Sequence, residues 1–107
     1  MLGDVAFVAI SGEFDLALCV KVAFDLNAAL RSRAQAIVID LDAVSFVDSS
    51  GIALLLNAFR RLDQAGRRLA IACPIGSPRR AFELTGLDRQ LPIYDNRGDA
   101  LAAVRPS

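Results

Sequence analysis

Residues 36–66 read AIVIDLDAVSFVDSSGIALLLNAFRRLDQAG. The opening run, residues 36–41, is apolar and β-branched up to Asp40, as in a strand buried on both faces. A short irregular piece follows. Asp48-Ser49-Ser50-Gly51 then opens a helix over 49–65, with Ile52, Leu55, Leu56, Phe59 and Leu62 on one face and Gly66 as its stop. Strand, loop and helix in this order make half of a β-α-β unit. The loop delivers two hydroxyls, Ser49 and Ser50, to a helix N-terminus. Free N–H groups and the positive end of the helix dipole gather there. A phosphate on either serine would meet a favourable local field. The same four residues are also a good N-cap sequence that requires no function.

The pattern repeats on both sides. Residues 5–10 form an apolar strand closed by Ser11-Gly12. A helix over 17–33 carries Cys19, Val22, Ala23, Leu26, Ala29 and Leu30 on one stripe, with Asp15 as its N-cap. Val20 and Phe24 fall on the opposite face beside Lys21 and Arg31, and are candidate partner contacts. Residues 69–73 form a third strand. Ser77-Pro78 reads as N-cap and first residue of a short helix reaching Gly86. Residues 92–94 form a last short strand, and Asn96 with Asp99 starts a terminal helix. The order β-α-β-α-β-α-β-α predicts an α/β fold. It is a mostly parallel sheet of about four strands with four helices, in one domain spanning 1–107.

Composition narrows the function. Of 107 residues, 12 are basic and 12 acidic, and 54% are apolar, enough to close one core. Zero net charge argues against nucleic-acid binding. The chain has no histidine, which removes the commonest general base and zinc ligand. No nucleophile elbow, P-loop or dinucleotide turn is present. The expectation is no enzyme activity, no catalytic or metal-binding residues and no cofactor. Cys19 and Cys73 read as buried free thiols of a reducing compartment. No signal segment or run of about 18 apolar residues is visible, so the expected location is the cytoplasm, without membrane insertion.

Three segments resemble the STAS domain, shared by sulphate transporters and anti-sigma factor antagonists. Gly12-Glu13-Phe14-Asp15 resembles that family's Gly-Glu-apolar-Asp turn. The segment from Leu41 to Gly51 resembles its phosphorylation segment. Residues 80–87, with 91–94, resemble its third helix and closing strand. The resemblance implies a bacterial partner switch in transcription regulation. It makes Ser49 the phosphoacceptor of an anti-sigma factor, itself a serine kinase with a histidine-kinase-like ATP fold. The unphosphorylated domain binds that kinase and releases a sigma factor, and a phosphatase resets the phosphorylated form. Asp48, Ser50, Gly51, Asp15 and Glu13 are the expected neighbours of the switch. In this reading Ser50 caps or orients the helix and Gly51 leaves room for a partner.

The resembled family begins with an additional strand antiparallel to the first strand here, where only Met1 to Asp4 precede it. The expectation is a missing or shortened edge strand, and an open edge invites homodimer pairing. The alternative within the family is a STAS module that is never phosphorylated, either a subunit of a membrane-lipid transport complex or a sensor of a nucleotide or other small ligand. A two-component receiver would place a lysine after its last strand, whereas the single lysine, Lys21, lies in the first helix.

Overall fold

The computed structural model describes residues 4–105, the Ser77 side chain excepted. Strands β1 (Val5–Phe14), β2 (Ala36–Val47), β3 (Arg68–Ala72) and β4 (Ile93–Tyr94) form one sheet in the order β1-β2-β3-β4, and every pairing is parallel. Helices α1 (Leu16–Arg31), α2 (Ser49–Gln64) and α3 (Ser77–Leu84) connect them, and α4 (Arg97–Val104) follows β4. Sequential parallel pairing puts the three connecting helices on one face. There Val22, Leu26, Leu55, Ala58, Leu62 and Phe82 bury against Ile37, Ile39, Leu41 and Ile71. On the other face Ala100 and Val104 of α4 pack on Ala36, Val38, Ala70 and Ala72. Met1 to Gly3, part of the segment expected to be too short for an additional strand, lie outside the described residues.

Two strands run further than the apolar pattern predicts. β1 continues to Phe14 and β2 to Val47, so the piece read as an irregular loop is paired strand. The register explains why. Ala9 and Ser11 face Asp40 and Ala43, and Gly12 and Glu13 face Val44 and Phe46, so β2 gains one residue at each place. These bulges break the period of two. Buried side chains on β2 then fall at Leu41, Val44 and Val47, three apart. The Asp42 N–H donates to Asp40 Oδ1 at 2.9 Å and pins the first bulge.

Three of the sequence-read helix signals hold, whereas α1 stops at Arg31 rather than reaching residue 33 and α3 begins one residue early. Asp15 caps α1 by accepting from the Leu18 N–H at 3.0 Å. Asn96 caps α4 by accepting from the Asp99 N–H at 2.8 Å. Gly66, at φ +71°, closes α2, and the Arg67 N–H then donates to Leu62 O at 2.8 Å. At α3 the cap differs. Its N-cap is Gly76, and Ser77 is already helical. The φ of +148° at Gly76 is one an L side chain rarely adopts, so the cap position moves back from the serine to the glycine.

Candidate functional site

The start of α2 is fixed by Asp48. Its Oδ1 accepts from the Ser50 N–H at 2.9 Å and the Gly51 N–H at 3.2 Å. The cap is therefore Asp48, and Ser50, expected to cap or orient the helix, contributes its backbone N–H. Ser49 is the first helical residue and is exposed. No hydrogen bond to another described residue engages its hydroxyl. Asp48 itself is tied to the end of β1, where its N–H donates to Phe14 O at 3.2 Å.

Gly51 is buried, and its reason is packing. A Cβ there would sit 2.9 Å from Phe14 O and 2.9 Å from Val47 Cγ2, closer than carbon tolerates. The glycine lets α2 seat against the ends of β1 and β2, rather than opening space for a partner. Asp15 follows Phe14 directly and caps α1, so the caps of both helices lie at the same end of the sheet. Cys19, half-buried in the first turns of α1, records their proximity. Its thiol is pushed above its ordinary range by burial first, then by the carboxylates of Asp48 and Asp15.

Glu13 is exposed in register with Phe46, at the same end of the sheet. The structure thus gathers Ser49, Asp48, Ser50, Gly51, Asp15 and Glu13 where the strands end. Val20 and Phe24 are 75% and 77% exposed on the outer face of α1. Phe24 lies about 13 Å along the helix from Asp15, by the rise of an α-helix, so it is not part of the serine's immediate surroundings. The sequence reading missed Leu16, 68% exposed. With Val20 and Phe24 it completes a run at i, i+4 and i+8, a spacing visible in the sequence.

Elsewhere the charged side chains do structural work. Arg67 donates to Leu30 O at 2.7 Å and Ala34 O at 3.0 Å, closing the end of α1. Arg79 donates to Cys73 O at 3.0 Å and pairs with Asp95 at 2.8 Å. Among the described residues no three His, Cys, Asp or Glu side chains are grouped to hold a metal ion, and no helix is long and apolar enough to cross a membrane.

A four-stranded parallel sheet, helices on both faces and a serine at the start of α2 define a class, and the family comparison agrees with it. The chain belongs to the STAS domain family, whose model matches residues 2–100. It is 33% identical to the anti-sigma F factor antagonist of Paenibacillus polymyxa over 94% of this chain and 86% of that protein. The crystal structure of an anti-sigma factor antagonist from Mycobacterium paratuberculosis superposes with a TM-score of 0.88 at 33% identity, over 95% of this chain and 86% of that one. The antagonist SpoIIAA in its unphosphorylated form shares the fold at a TM-score of 0.75 and 23% identity, over 97% of this chain and 90% of that one. The Bacillus SpoIIAA in the phosphorylated form shares it at 0.66 and 23% identity, over 98% and 95%.

Proposed function

We infer that this protein is an anti-sigma factor antagonist, a cytoplasmic interaction module switched by phosphorylation of Ser49. The observation that carries the reading is the placement of Ser49, exposed at the first position of α2 while the neighbouring Asp48 carboxylate is occupied as the cap. The free hydroxyl is presented to a kinase on a rigid helix end. Its oxygen forms a bond to the γ-phosphorus of ATP, the bond to the bridging oxygen breaks, and ADP leaves. The proton passes to a base on the kinase, which suits a chain without histidine.

The partner is an anti-sigma factor serine kinase, which binds the unphosphorylated chain and gives up its sigma factor, and a phosphatase reverses the modification. Phosphate adds about −1.5 to −2 charges at an end of the sheet that already holds Asp48, Asp15 and Glu13. A complementary surface would lose a few kcal/mol of attraction through like charge and desolvation. The Leu16, Val20 and Phe24 stripe starts beside this end and supplies apolar contact area for the same partner.

Incubation with the cognate anti-sigma kinase and ATP should add one phosphate, located at Ser49 by tandem mass spectrometry. In calorimetry, Ser49→Ala should bind the anti-sigma factor like the unmodified chain, and Ser49→Asp more weakly. A label confined to Ser50, or equal affinity of the two variants, would sink the reading.

A further inference from the structure

The two edges of the sheet differ in length. β1 is bonded to β2 alone and, among the described residues, has no strand on its outer side along all 10 of its residues, a reach of about 33 Å. β4, at the opposite edge, pairs over two residues directly after Pro92. Along most of β1 nothing guards the edge. From Val5 to Gly12 it holds no charge and no proline, and both bulges put their extra residue on β2. Natural edge strands usually carry one of these devices, because an unpaired row of N–H and C=O groups is a template for another strand. A groove of about 360 Å³ runs beside the edge, lined by residues 6–9 and by Asp25, Ala28 and Ala29 of α1.

We propose that this edge pairs with the same edge of a second copy, β1 antiparallel to β1, joining two four-stranded sheets into one. The unequal edges select this occupant. β4 is too short to receive β1, so a sustained continuation of the sheet between copies runs only through β1. Two like edges meet about a two-fold axis, and the joined sheet has no long edge left, so growth stops at the dimer. The sequence of β1 also fits itself. Placing Ala9 opposite Ala9 sets Val8 against Ile10 on the side of the connecting helices and Phe7 against Ser11 on the other. Glu13 then meets Val5 rather than a second carboxylate. The axis stands perpendicular to the sheet, so both α1 helices lie on one face and run antiparallel across it. Ala28 and Ala29 keep that approach free of bulk. The charge in the groove is Asp25, and exposed Lys21 lies one turn from it on α1. Neither is in an ion pair among the described residues. Two antiparallel α1 helices therefore present a carboxylate and an ammonium to each other from each copy.

Sedimentation equilibrium of the 107-residue chain over a concentration series tests this. The mass should rise from the 11.4 kDa of a monomer toward twice that value and no further. In step with it, hydrogen exchange should slow at alternate amides of β1, those on its outer side. Ala9→Lys sets like charges opposite each other, and Ala28→Arg fills the groove. Each should raise the dissociation constant at least about tenfold. Ala28 is an exposed helix position, so its variant stays readable even where Ala9→Lys disturbs the fold. Lys21→Glu and Asp25→Lys should each weaken the dimer, and an equimolar mixture of the two should restore it. Ala102→Arg, exposed on α4, should change nothing. A monomer at every concentration the chain's solubility allows overturns the proposal. So does a dimer indifferent to Ala28→Arg, a series of larger oligomers, or a set of β1 amides already protected in the monomer.

Discussion

Ser49 and Cys73 show how one residue's surroundings decide its chemistry. Ser49 is exposed with its hydroxyl free, while Cys73 is completely buried at the end of β3. Burial pushes the Cys73 thiol up from 9.0 to about 11, with the guanidinium of Arg79 pulling it partly back and Glu83 adding to the rise. The folded protein therefore holds the thiol proton more tightly than the unfolded chain does. That stabilisation is fully present below pH 9 and is lost as pH rises through about 11, because the unfolded chain ionises first. Urea unfolding repeated across this interval should give a stability that falls with pH in the natural chain and falls less in Cys73→Ala. Parallel slopes for the two would contradict the assignment. Cys19 is also disfavoured as a thiolate, by burial first and then by the Asp48 and Asp15 carboxylates, so neither cysteine is poised as a nucleophile.

At the scale of elements, the joint between α2 and the ends of β1 and β2 depends on Gly51. Gly51→Ala places a methyl against the Phe14 carbonyl and Val47 with no flexible side chain to yield at the first of these. The expected cost is about 1–3 kcal/mol, read as a lower denaturation midpoint at an unchanged slope. An alanine as stable as glycine would mean that the helix start moves freely. This joint also marks where sequence reasoning succeeds and where it stops. The caps Asp15 and Asn96 and the stop at Gly66 were legible, because a short polar side chain or a glycine has local, chain-determined reasons to be there. The order of strands was legible from apolar runs. The second halves of β1 and β2 were not, since two bulges scramble the alternation at Asp42 to Val47. Cap ownership at Asp48-Ser49-Ser50 was also ambiguous, because all three residue types accept from a helix N–H. The role of Gly51 needed Phe14, a residue 37 positions away in sequence, to be brought beside it.

For the whole molecule, the phosphate proposed for Ser49 would act either by reshaping the fold or by changing its surface. The core favours the second. Ser49 touches solvent, whereas Phe14, Leu41, Leu55 and Ile71 are fully buried in one core cluster. Close-packed interiors of this kind do not deform gradually. The helix dipole partly offsets two added charges at the start of α2, so there is little local penalty to drive a rearrangement. Amide spectra of the Ser49-phosphorylated chain should therefore change at the starts of α1 and α2 and around Glu13, and stay put in β3, α3 and α4. Its thermal midpoint should move by no more than about 4 °C, the shift that 1 kcal/mol produces in a domain of this size. Shifts spread through β3 and α4, or loss of the cooperative transition, would instead require a switch that works by remodelling the core.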